Sequence, residues 1–143
     1  MEIKKAMTKA DIEFCRQVIL EFRPNLDEKH FVDQILAMIK NEAFELIYIP
    51  AEDNAKAAAF IGFRTMQLLR TGSMIYIDDL FTLPEARGKG YASALLDYVK
   101  RQAETAEIAS VHLDSGYMLH DAHRLYLNKG YVLACNHFAK KIA

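Results

Sequence analysis

Residues 82–95, Thr-Leu-Pro-Glu-Ala-Arg-Gly-Lys-Gly-Tyr-Ala-Ser-Ala-Leu, constrain this chain more than any other stretch. An extended apolar run from Met74 to Leu83 ends in a Pro-bearing turn. Arg87, Gly88, Lys89 and Gly90 then lead straight into an amphipathic helix striped by Tyr91, Ala94, Leu95, Tyr98 and Val99. Glycines in a strand-to-helix turn let backbone N–H groups approach a ligand with no Cβ between them. The first N–H groups of a helix have no internal acceptor, and its dipole favours negative charge there. Arg87 and Lys89 bring cations to the same place, so the turn reads as a cradle for a pyrophosphate.

The remaining pattern says what surrounds that turn. Ile3 to Ala6 is a short strand, and Thr8 caps a helix expected from Lys9 to Phe22, with Ile12, Cys15, Ile19 and Phe22 on one face. Pro24 stops it, and Asn25 or Asp27 opens a second helix through about Lys40. Strands follow at Phe44–Ile49, Ala57–Gln67 and Met74–Leu83, separated by turns at Glu52-Asp53-Asn54 and Thr71-Gly72. After the helix that begins at Tyr91 come a strand at Ser110–Asp114, a helix at Asp121–Asn128 and a last strand at Val132–Ala139. Consecutive strands joined by tight turns imply antiparallel hairpins, and the later strand–helix–strand passage implies a parallel crossover. The expected architecture is a mixed α/β sheet of about six strands, mostly antiparallel, with helices on both faces, in a single domain covering residues 1–143.

Composition narrows the partners. A formal net charge of −1 gives no general pull toward nucleic acid or anionic membrane, so any anion site must be local. No segment is long and apolar enough to span a bilayer and no apolar signal region opens the chain, which makes cytoplasm the expected location. Two cysteines, Cys15 and Cys135, stand far apart without metal-ligand spacing and read as reduced core residues. His120 and His123 are three apart on a short helix but lack an acidic or cysteine partner at ligand spacing, so no metal is expected.

Two other glycine-loop chemistries fail on spacing. A nucleotide P-loop needs a Gly five residues before its Gly-Lys pair and Ser or Thr after it, where Leu83 and Gly90 stand. A dinucleotide fingerprint wants a third glycine where Ser93 stands, and its turn usually opens the fold. The segment Arg87-Gly88-Lys89-Gly90-Tyr91-Ala92 instead resembles the coenzyme A signature of the GNAT superfamily of N-acetyltransferases: Arg or Gln, two residues, Gly, one residue, then Gly or Ala. Downstream, Ala122-His123-Arg124-Leu125-Tyr126-Leu127-Asn128-Lys129-Gly130-Tyr131 is similar to that family's Ala-x-x-(Phe/Leu)-Tyr-x-x-x-Gly-(Phe/Tyr) segment. Asp114-Ser115-Gly116, the Ala-His-Arg-Leu-Tyr run and the late pair His137-Phe138 resemble a bacterial subgroup with an Asp-Ser-Gly…Ala-His-Arg-Phe-Tyr pattern.

The resemblance implies a GNAT-like fold with a splayed parallel strand pair, acetyl-CoA as acetyl donor, and a small-molecule or peptide amine as acceptor. It implies that the amides of Arg87, Gly88, Lys89, Gly90, Tyr91, Ala92 and Ser93 hold the diphosphate. The backbone of Leu80, Phe81 and Thr82 would pair with the pantetheine arm and the thioester carbonyl, where an N–H can polarise the carbonyl. Tyr126 matches the family's general acid, and a phenol with a reference pKa near 10 stays protonated at neutral pH. Tyr-Ile-Asp-Asp-Leu-Phe is similar to a Tyr-Leu-Glu-Asp-Phe-Phe stretch of diamine acetyltransferases, which nominates Asp78 as base or anchor of a relay water and Asp79 as a contact for the substrate ammonium. Strand alternation is expected to send those two side chains to opposite faces. Asp114, at the end of a parallel strand where ligands gather in open sheets, is a substrate-binding candidate. Many family members carry Asn where Leu119 stands, three residues before Ala122, so that contact to pantetheine is missing or supplied by His120 or Asp121. The rival reading is an acyl-CoA-binding sensor without turnover, although such a binder needs neither Asp78 nor Tyr126. A homodimer is compatible with all of this.

Overall fold

A computed structural model describes residues 1–143, which form two compact units, Met1–Leu113 and Asp114–Ala143. The first unit runs β1 (Lys4–Ala6), α1 (Lys9–Phe14), α2 (Arg16–Phe22), α3 (Phe31–Asn41), β2 (Phe44–Pro50), β3 (Ala57–Leu68), β4 (Gly72–Thr82), a 3₁₀ turn at Pro84–Ala86, α4 (Tyr91–Thr105) and β5 (Val111–Leu113). Its sheet follows sequence order, β1-β2-β3-β4-β5. The first three pairings are antiparallel and β4–β5 is parallel. That is the mixed α/β architecture expected.

The sheet is covered on both sides. Phe22 of α2 meets Phe60 of β3 with ring centroids 6.2 Å apart, whereas Tyr98 of α4 meets Phe63 at 6.5 Å. Phe60 and Phe63 are three apart on one strand, so they point to opposite faces. β3 is accordingly buried from Ala57 through Phe63. Phe31, Ile47, Phe63, Leu95 and Val99 are fully enclosed, and no polar or charged residue is buried with them. Truncating one of the buried rings to Ala would cost about 3–5 kcal/mol.

Thr8 caps α1 as its sequence suggests. Its side chain accepts from the Asp11 N–H, and Asp11 accepts from the Thr8 N–H, a complete capping box. The single helix expected from Lys9 to Phe22 is instead two. The Cys15 N–H bonds the Ile12 carbonyl at 3.0 Å, one residue short of an α-helical partner, and the tightened turn breaks the helix there.

The second unit contains α5 (His120–Asn128). The strand expected at Val132–Ala139 does not form, and the sheet has five strands rather than about six. Val132, Leu133 and Phe138 are exposed, so the apolar positions that suggested a strand are not buried. No helix of the chain is long and apolar enough to cross a membrane.

Candidate active site

β5 pairs with β4 only at Ile75, Tyr76 and Ile77. Beyond Ile77 the strand continues to Thr82 bonded to β3 alone, so the edge carrying Leu80, Phe81 and Thr82 has no neighbouring strand. The Phe81 ring stacks on Phe22 at 4.9 Å, which leaves its main chain as the group available at the edge. Arg87 folds back over this stretch, its Nε donating to the Thr82 carbonyl at 3.4 Å and its guanidinium lying 5.6 Å from the Phe81 ring centre.

The strand then enters the glycine turn. Gly88 and Gly90 both adopt φ of +81°, the left-handed region that disfavours any side chain, and nothing lies within 4 Å of where a Cβ would stand. Gly90 is the N-cap of α4 and no side chain caps it. The first intrahelical bond runs from the Ala94 N–H to the Gly90 carbonyl at 3.0 Å. The N–H groups of Tyr91, Ala92 and Ser93 therefore lie ahead of the helix's own ladder, at the positive end of its dipole. Lys89 Nζ sits 2.9 Å from Glu52 Oε1. Turn and strand edge together suit a coenzyme with a diphosphate and an amide-bearing arm.

Asp78 and Asp79 depart from the alternation expected of them. Gly62 pairs with Asp79 and Phe63 with Ile77, which leaves Asp78 as the extra residue of a β-bulge. The bulge resets the side-chain phase, and each carboxylate meets an arginine. Arg64 donates from Nε to both oxygens of Asp78 at 3.1 Å and from Nη2 to Oδ2 at 2.7 Å, while its Nη1 reaches Glu42 at 3.1 Å. Arg23 donates from Nε to Asp79 Oδ1 at 2.7 Å, with Nη2 2.6 Å from the same oxygen and 3.3 Å from the Asp78 carbonyl. Burial raises the proton affinity of Asp79 above the ordinary Asp range, against the opposing pull of Arg23. The two carboxylates thus stand close enough to repel, with different partners.

Asp79 lines a cavity of about 240 Å³ between the α2–α3 side and the sheet. Its walls are mainly apolar, including Ile19, Phe31, Phe44, Leu46 and Phe60, and its only charged lining residues are Arg23 and Asp79. Gly62 is required behind it: a Cβ there would stand 2.6 Å from Cζ of Phe44. Neither Arg23 nor Arg64 was expected from sequence. The signals were an Arg at the Pro24 helix stop and a lone Arg in the apolar run of β3.

In the second unit, Tyr126 sits on α5 and is held by the way that helix ends. The Gly130 N–H bonds the Leu127 carbonyl at 3.1 Å, and the Tyr131 N–H bonds the Tyr126 carbonyl at 3.0 Å. Gly130 has φ of +91°, so this is a Schellman ending, completed by the Tyr126 and Tyr131 rings at 6.0 Å. The Tyr-x-x-x-Gly-Tyr spacing is therefore the geometry of a helix stop that fixes Tyr126. Burial raises the Tyr126 phenol above its ordinary value. Asp114 Oδ1 lies 3.4 Å from His137 Nδ1, and the rings of His120 and His123 are 6.3 Å apart.

Comparison with known proteins agrees with this geometry. The sequence model of the Acetyltransferase (GNAT) family matches residues 12–131. A protein of Bacillus subtilis (strain 168) described as the uncharacterized N-acetyltransferase YhdJ is 28% identical over 143 residues, covering 99% of both chains. Among solved structures, a putative acetyltransferase from Agrobacterium tumefaciens superposes with a TM-score of 0.83 at 19% identity over 99% of each chain. Glucosamine-6-phosphate N-acetyltransferase from Arabidopsis thaliana does so at 0.81 and 15%, over 99% of this chain and 98% of that one.

Proposed function

The chain belongs to the GNAT family of acetyltransferases, and on that premise we propose that residues 1–143 act as one domain that acetylates a primary amine by direct attack in a ternary complex. One observation carries the reading: the unpaired edge of β4 from Leu80 to Thr82 runs directly into two left-handed glycines and an uncapped helix N-terminus. A donor bound there would supply an activated acetyl group as a thioester.

The amides of Arg87 through Ser93 hold the diphosphate, the strand edge at Leu80, Phe81 and Thr82 orients the arm, and Lys89 exchanges Glu52 for phosphate oxygens. Asp79 meets the acceptor amine, and burial raises its affinity for a proton against the pull of Arg23. Asp78 is engaged through both oxygens by Arg64, which fits it to anchor a relay water better than to reach the amine itself. The amine nitrogen bonds to the acyl carbon as the carbon–sulfur bond breaks. Tyr126, kept protonated by burial, gives its proton to the departing sulfur. Asp114 contributes to acceptor binding.

Mixing the protein with acetyl-CoA and a panel of amines tests this through release of the coenzyme thiol. Saturable, amine-dependent release supports the reading. Tight acetyl-CoA binding in calorimetry with no acceptor among amino acids, polyamines, aminoglycosides and peptides would replace it with a non-catalytic sensor.

A further inference from the structure

We infer that the acceptor is a small zwitterion, an amino acid with an apolar side chain, whose ammonium and carboxylate are read together by the Asp79–Arg23 pair. The inference rests on the transfer reading above and names the substrate class of that same site.

The cavity beside Asp79, at about 240 Å³, falls below the ~300–1,000 Å³ of sites that enclose drug-sized ligands. It has room for one compact side chain, and its walls offer that side chain mainly apolar contact, through Phe31, Phe44 and Phe60, beside the amides of Asn25 and Gln34. At its margin the charges come as a matched pair. Arg23 spends Nε and Nη2 on Asp79 Oδ1 and on the Asp78 carbonyl, and Nη1 is spent on neither. Asp79 Oδ2 accepts from neither arginine nitrogen and lies on the Gly62 side, 3.6 Å from where a Cβ of that residue would be.

A simple amine seating its ammonium on Asp79 would bring a second cation against Arg23 in a partly desolvated place, where like charges are costly. A polyamine would compound that repulsion. An anion carried on the same ligand removes it, because a planar guanidinium with donors to spare binds a carboxylate in forked geometry. An α-amino acid carries both groups on one carbon, as the pair requires, and sends its side chain into the cavity. Asp78 is held through both oxygens by Arg64, which also reaches Glu42, so it is Asp79 and Arg23 that front the cavity. In the reaction the ammonium first gives up one proton through the carboxylate side; the amino nitrogen then bonds to the acetyl carbon as the carbon–sulfur bond breaks, and the second proton leaving nitrogen balances the one that Tyr126 gives to the sulfur. The products are an N-acetylated amino acid and the free coenzyme thiol.

The test compares leucine and phenylalanine with the amines that lack only their carboxylate, with their amides, and with spermidine. Thiol release is measured with acetyl-CoA, and calorimetric binding is measured on the coenzyme-loaded protein. The amino acids should exceed their decarboxylated partners by about tenfold or more in kcat/KM or affinity, the worth of one charge-assisted bond. In Arg23→Gln that ratio should fall toward one, and Arg23→Lys, which keeps the charge without the fork, should lie between. Turnover of simple amines or spermidine at equal or better efficiency would overturn the substrate class while leaving the transferase reading in place. If no amine turns over, the transfer reading fails. Calorimetry then decides the ligand class alone, and equal affinity with and without the carboxylate rejects it.

Discussion

Gly62 lies opposite Asp79 across the β3–β4 ladder, although its neighbour Phe63 lies opposite Ile77. The residue skipped between them is Asp78. This slip decides the chemistry of the site, because it changes which side chains two adjacent carboxylates can meet. Asp78 is given to Arg64 and Asp79 to Arg23, one tied through both its oxygens and the other through one.

Asp79 should leave a signature in stability against pH. Burial raises its folded-state pKa above the unfolded value of roughly 3.9. Folding therefore favours the protonated form, and that contribution is complete below the unfolded value and lost as pH rises through the folded one. Denaturant midpoints of the natural protein and Asp79→Asn, compared from pH 3 to 7, should show the natural chain's relative stability declining with pH. A relative stability that climbs instead would mean that Arg23 outweighs burial.

Gly62→Ala should damage stability and the acceptor side together. The new Cβ meets the ring of Phe44, which is only 4% exposed, so the ring must move. Overpacking of this kind costs about 1–3 kcal/mol. Phe44 also lines the cavity, so the acceptor KM should rise while affinity for the donor is retained. Urea unfolding and steady-state kinetics together check both halves.

Tyr126→Phe should keep the helix ending, which uses main-chain bonds and ring contact, and remove only the hydroxyl. Loss of a positioned general acid costs about 10²–10⁴-fold in rate. The expected result is a fall in kcat of that order with acetyl-CoA affinity little changed. An undiminished kcat would remove the phenol from the mechanism.

The two cysteines should be told apart by a thiol reagent. Burial pushes the Cys15 thiol up to about 12, so it holds almost no reactive thiolate at neutral pH, whereas Cys135 is exposed. One thiol per chain should react with a disulfide reagent under native conditions and two after denaturation. Reading both cysteines as core residues from sequence was correct for Cys15 only. Cys135 belongs to the segment whose expected strand does not form.

What could be read in advance was local. The strand–turn–helix around Gly88 and Gly90 and the Thr8 cap each depend on residues a few positions apart, and the sequence displays them directly. The slip at Asp78 depends on register between two strands, and no periodicity along one strand reveals it. Arg23 lies 56 residues from Asp79, so that pairing exists only once the α2 side is laid on the sheet. The missing last strand is the reverse case: Val132–Ala139 has strand composition, but composition alone does not bury Val132, Leu133 or Phe138.

Helix α4 serves two masters. Its flank, through Leu95, Val99 and Tyr98, is part of what holds the sheet together, and its leading end is the anion seat proposed above. An occupant of that seat grips a beam of the framework rather than a loose loop. Donor occupancy and resistance to melting are therefore coupled quantities in this chain, with each tenfold excess of ligand over its dissociation constant adding about 1.4 kcal/mol to the fold once the seat is saturated.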